Sequence, residues 1–168
     1  YRSVFKGSQA GYSEFLGATA RMALGTIAQS DALYHDLEHT LLVTSVGQEI
    51  LQAKRLCEGG NSISPKDWLH VTTALLCHDI GYCKGICRQD DADLGRHSTG
   101  LENDYVFLPF GSTDAALSAY HVDRSKQFAQ EQFEQASMID VTVVQQIIDR
   151  TRFPATETTP LPTDVQVL

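Results

Sequence analysis

The residues best suited to chemistry fall in two short stretches. In the first, Leu75-Leu76-Cys77-His78-Asp79-Ile80-Gly81-Tyr82, an apolar run ends in a histidine, a carboxylate and then a glycine. An unpaired carboxylate carried into an apolar interior costs several kcal/mol, so Asp79 calls for a cationic partner. In the second, Tyr34-His35-Asp36-Leu37-Glu38-His39-Thr40, two imidazoles stand four residues apart and share a face if the segment is helical. Together they offer up to three nitrogens and a carboxylate. Such a mixed set suits a divalent transition ion better than calcium, which prefers oxygen ligands.

The elements that must position these groups are helical. Leu16, Ala20, Ala23, Leu24 and Ile27 recur at helical spacing and predict a helix over 13–29, with Ser13 as its N-cap and residues 1–11 as an arm leading into it. A second helix is expected over 36–57, stopped by Gly59-Gly60-Asn61, with His39 and Val43 on one stripe. Ser64-Pro65-Lys66-Asp67 announces a third, running to Tyr82 and apolar on most faces, as a central helix would be. Its last turn would carry His78 and Asp79 inward. His70 lies about 12 Å up that axis and reads as structural.

Residues 84–113 are rich in glycine and charge and read as a long loop, a candidate lid over the site, with no strand alternation long enough to need a sheet. Within it, Asp90, Asp91 and Asp93 read as a solvated cluster, and His97 has no periodic neighbour to place it. Ser112-Thr113-Asp114 is expected to cap a helix reaching Gln135, with His121 on it and Arg124 and Lys126 on its polar outer face. Asp140 caps a last helix over 141–151, and the proline-rich segment 155–168 reads as an extended tail.

Composition narrows the function further. A length of 168 residues with 42% hydrophobic content predicts one domain with one sizeable core. A net charge of −8 disfavours long nucleic acids as partners. No run approaches the roughly 18 apolar residues of a membrane span, and no signal-peptide pattern opens the chain, so a cytoplasmic setting is expected. Cys57, Cys77, Cys83 and Cys87 form no Cys-x2-Cys pair, which argues for ordinary thiols over a zinc finger.

A histidine followed by His-Asp at the end of an apolar helix, in an all-helical chain, resembles the HD-domain superfamily of metal-dependent phosphohydrolases. Tyr34-His35 with His39 also resembles the Tyr-His-Asn-x-x-His-Ala segment of cyclic-nucleotide phosphodiesterases, with Asp36 and Thr40 replacing the asparagine and alanine. The resemblance spans residues 30–155. It implies an all-α, compact HD-domain-like bundle of about five to seven helices with a long loop after the His-Asp motif. It further implies His39, His78 and Asp79 as ligands of one or two divalent ions (Mn, Fe, Zn, Ni or Mg), with His35 as the proton donor to the leaving alcohol. His97 and His121 fall where some HD proteins place second-ion or phosphate contacts.

Two departures stand out. The aspartate that closes the family's ligand set has no helical counterpart, leaving Asp123, Asp164 in the tail, or no residue of this chain. The His-Pro-Gly run of the phosphodiesterases is also missing after Gly81. The expected function is hydrolysis of a small phosphate ester or nucleotide by metal-activated water, with Arg88, Arg124, Lys126 and Arg152 as candidates to neutralise phosphate. The alternative is a non-catalytic metal- or nucleotide-binding regulatory module.

Overall fold

The computed structural model describes residues 1–5 and 9–153. Within them the protein is an all-α bundle of six helices: α1 (Arg2–Phe5), α2 (Ala10–Ile27), α3 (Leu37–Glu58), α4 (Pro65–Cys77), α5 (His121–Phe133) and α6 (Val141–Asp149). None of them is long and apolar enough to cross a membrane. The central helix is α4, in which every residue from Trp68 to Cys77 is buried. It packs against α2, α3 and α6, and α5 in turn packs on α6. Such wholesale burial explains why α4 shows no polar face in the sequence.

Local signals set the boundaries of α3, α4 and α6. Ser64 Oγ accepts from the Asp67 backbone N–H while Asp67 returns a bond to the Ser64 N–H, closing a capping box ahead of Pro65. Asp36 caps α3 through the His39 N–H, and Asp140 caps α6 through Thr142 and Val143. His70 is structural, its Nε2 accepting from the Asp140 N–H at 2.9 Å.

Other expectations need correction. The N-terminal arm contains the short helix α1, and α2 starts at Ala10 after Gln9 in a left-handed conformation (φ 59°). Ser13 is therefore inside the helix, where its Oγ accepts from Arg2 Nε. The third helix stops at Cys77 instead of reaching Tyr82, and a separate 3-10 turn covers Ile80–Tyr82. The expected loop contains an antiparallel hairpin, β1 (Arg96–Ser98) with β2 (Tyr105–Phe107), its register pairing His97 with Val106. Three-residue strands are too short to reveal alternation. The helix expected from Ser112 is a 3-10 turn over Asp114–Leu117, followed by α5 from His121. The tail of residues 155–168, with Asp164, lies outside the described residues.

The largest correction concerns Arg124, which faces inward and is fully buried. Its guanidinium donates to the Gly81, Ser98 and Cys83 carbonyls and to both oxygens of Asp90. Asp90, expected in a solvated cluster, has a side chain only 1% exposed. It also accepts from the Ser98 and Cys87 backbone N–H groups. One ion pair thus fastens the hairpin and the His-Asp turn to α5.

Close backbone approach tightens the same junction. A Cβ on Gly81 would fall 1.9 Å from the His121 carbonyl oxygen, and one on Gly100 (φ +86°) would fall 2.1 Å from the Asp123 carbonyl carbon. Ser125 Oγ accepts from the Gly81 N–H and donates to the His78 carbonyl, completing the contact. The first turn of α5 is held between two glycines that no other residue can replace.

Removing either member of the Arg124–Asp90 pair should therefore cost about 3–5 kcal/mol, because the survivor is left charged and buried. Chemical denaturation of Arg124→Leu and Asp90→Ala checks this. Burial works to raise the Asp90 carboxyl pKa, but hydrogen bonding to Arg124 and its charge, with two backbone N–H groups, hold it below its ordinary 3.8. A depressed folded-state pKa gives stability that is present above the unfolded value and lost as pH falls through the folded one. Stability of the wild type should thus fall below about pH 4, and Asp90→Asn should remove that share of the acid sensitivity.

Candidate metal centre

Consecutive residues on an α-helix diverge by about 100°, and here the backbone leaves the helix between His78, still αR, and Asp79. His78 is the C-cap, and Asp79 takes φ −108°, ψ 3°, a sparsely populated conformation common at active sites. His78 Nε2 then lies 3.0 Å from Asp79 Oδ2. The loop ahead of α3 brings His35 Nδ1 to 2.8 Å from the same oxygen, and the first turn of α3 brings His39 Nε2 to 3.2 Å. The start of α5 adds His121, whose Nε2 lies 3.9 Å from Asp79 Oδ1. Four imidazoles thus surround one buried carboxylate. His35, His39 and Asp79 offer ligand atoms all within 4.8 Å of one another.

Two tautomers are set by the backbone. His78 Nδ1 is 2.8 Å from the Leu75 carbonyl and His121 Nδ1 is 2.6 Å from the Ser118 carbonyl. A carbonyl only accepts, so both Nδ1 atoms carry protons and each neutral ring presents an Nε2 lone pair toward Asp79. Burial lowers the His121 pKa, outweighing the raising effects of the Ser118 carbonyl and Asp79. A lone pair facing a carboxylate is repulsive unless a cation stands between them.

The remaining charges agree. Burial acts to raise the Asp79 pKa, but hydrogen bonds and charge from His78 and His35 prevail and hold it well below the usual carboxylate range. Burial acts to lower that of His78, and Asp79 reverses this and raises it. The cluster therefore holds an anion that attracts positive charge as protons or as a metal ion. The donor set that fits one ion is His35, His39 and Asp79, whose ligand atoms lie within 4.8 Å of one another, as donors bonded at about 2.1 Å to a common ion require. Anchoring of Nδ1–H to a backbone carbonyl is the outer-shell support usual for metal-binding histidines.

Sequence reasoning missed Tyr82. Its ring stacks on His35 at 4.2 Å and 15° and on His121 at 4.4 Å and 21°. The two imidazole centroids are 6.1 Å apart. One phenol ring therefore touches both imidazoles. The Tyr34 ring, expected only as part of the motif, packs against His35 and His39 on the open side.

Other candidates lie elsewhere. His97 is buried with Nδ1 3.8 Å from Asp90, so its charged neighbour is Asp90 and not Asp79. Asp123 pairs with Lys126 and Arg152. Lys126 and Arg152 also pair with Asp149, and Arg88 with Glu134. The four residues named for phosphate neutralisation are thus all engaged by carboxylates. All four cysteines are free thiols, and burial pushes Cys77 and Cys87 up to about 12. The Asp114 carboxylate accepts from Ser30, and its backbone N–H donates to Asp31, tying the loop that carries His35 to the body.

Fold and centre together define a helical protein with a cluster of four histidines around one buried carboxylate. The chain belongs to the Npun_R2479-like family, whose model matches residues 1–165. No curated protein and no solved structure matches it significantly.

If Tyr82 orients two of the imidazoles, Tyr82→Leu should weaken metal binding about 10- to 100-fold while Tyr82→Phe keeps it. Competition titration with a metallochromic chelator reads both. Equal affinity in all three proteins would remove Tyr82 from the centre.

Proposed function

We propose that this chain is a metal-dependent phosphohydrolase of the HD type, acting on a small phosphate ester or nucleotide. The observation that carries the metal part is the convergence of His35, His39 and His78 nitrogens within 3.2 Å of the buried Asp79 carboxylate, with the Nδ1 atoms of His78 and His121 held by backbone carbonyls. His39, His78, Asp79 and His121 would hold the ion. The chemistry an ion would supply there is activation of a water for attack on phosphorus.

The chain's own contribution centres on His35. Asp79 accepts from its Nδ1–H, which fixes the tautomer and leaves Nε2 free to hold a proton for the departing oxygen. Its side chain is 28% exposed, so a substrate can reach it. The geometry equally suits His35 as a further ligand, and one variant separates the two roles. With the four named cations paired to carboxylates, substrate charge falls to the metal centre, which favours a small phosphate. The net charge of −8 also disfavours long polyanions. Free cysteines fit a reducing, cytoplasmic setting.

The same engagement of Arg88, Arg124, Lys126 and Arg152 favours a second reading, a regulatory module that binds metal or nucleotide without turnover.

Elemental analysis should find a divalent transition ion in the purified protein, lost in His78→Ala and Asp79→Ala. Equal metal in all three sinks the centre. His35→Ala should keep the ion and lose at least 100-fold in turnover of nucleoside phosphates, cyclic nucleotides or an aryl phosphate. Loss of the ion would make His35 a ligand, and no turnover by metal-loaded wild type would favour the regulatory module.

A further inference from the structure

Helix α3 is patterned inside out. Its buried residues are Thr40, Thr44, Gly47 and Leu51, of which Leu51 alone is large and apolar. That side is tightly packed on α4, since a Cβ on Gly47 would fall 2.2 Å from a Leu75 methyl group. On the other side Leu42, Val46 and Ile50 are 44–62% exposed, and Ala53 and Leu56 are exposed beside them. An amphipathic helix ordinarily turns such residues to the core. Residues four apart are neighbours on a helix, so these side chains form one continuous apolar stripe, the mark of a surface that another molecule covers. Among the described residues nothing covers it.

The charges along the stripe favour one occupant. Glu38, Leu42, Val46, Ile50 and Lys54 stand four residues apart in a single row, with the acid at its amino-terminal end and the base at its carboxy-terminal end. Such a row complements itself when turned end for end. A two-fold axis at Val46 sets Glu38 of one copy opposite Lys54 of the other, Leu42 opposite Ile50, and Val46 opposite Val46. Parallel pairing would instead set Glu38 on Glu38. Within its own chain Lys54 has only a loose pairing with Glu58, at 4.0 Å. Glu49 stands three residues past the axis, so its two copies are about 9 Å apart along the helices and stay at the wet rim. An anionic lipid surface is disfavoured by the same carboxylates and by a net charge of −8.

We propose that this face of α3 docks a second copy of the chain, antiparallel, about a two-fold axis at Val46. Sedimentation equilibrium of the full chain should show a reversible monomer–dimer equilibrium. Val46→Glu opposes two carboxylates at the axis and should weaken the dimer at least about 30-fold, while the half-exposed position leaves the helical circular dichroism unchanged. Glu38→Lys and Lys54→Glu should each weaken it about three- to tenfold, and the double exchange should restore it to within about threefold of wild type. Wild type that stays monomeric up to about 100 μM overturns the proposal, as does a dimer indifferent to Val46→Glu. A dimer lost in Val46→Glu but not recovered by the double exchange overturns the antiparallel pairing. If Val46→Glu does not fold, the exchange of Glu38 and Lys54 still decides.

Discussion

A fully buried arginine holds this molecule in register. Arg124 sits where an unpaired charge would cost several kcal/mol, and it is tolerated because each nitrogen of its guanidinium finds an acceptor. Its partners come from three separate parts of the chain: the His-Asp turn, the segment around Asp90, and β1. Without that ion pair the hairpin, whose strands are three residues long, would have little to keep it folded. The turn that delivers His78 and Asp79 would also lose two of its carbonyl contacts with α5. Stability of the fold and geometry of the centre therefore share one cause.

The histidine cluster presents the opposite electrostatic situation. Around Arg124 every charge is matched by protein groups. Around Asp79 a single carboxylate meets four imidazoles, two of which have committed their only neutral-form proton to backbone carbonyls. The first arrangement is complete within the chain, and the second takes up positive charge as protons or as an ion. That contrast, within one molecule and a few residues of sequence, sets a structural ion pair apart from a candidate ligand site.

Much of this could be read from the sequence, for identifiable reasons. His35, His39, His78 and Asp79 were legible because four-residue spacing and an adjacent His-Asp pair are local patterns. Ser64 and Asp140 were legible because capping is local as well. Arg124 was not, since its acceptors are 26 to 43 residues away and its own helix reads as amphipathic with a charged outer face. Tyr82 looked like one more apolar residue at a helix end, and its stacking on His35 and His121 depends on three elements meeting. The early stop of α4 was hidden because Ile80 and Tyr82 continue the apolar pattern while the backbone leaves it.

The fit of Gly81 against the His121 carbonyl bears on how the chain can lengthen or shorten over evolutionary time. Between Asp79 and Cys83 the backbone has no slack: it must supply a carboxylate, pass α5 within van der Waals distance, and present two carbonyls to a guanidinium. One inserted residue there would turn every later side chain away from its partner. Between β1 and β2, Gly100 is pinned against the Asp123 backbone, whereas the segment 101–103 is exposed. Insertions and deletions in relatives should therefore collect in that segment and spare the five residues from Asp79 to Cys83.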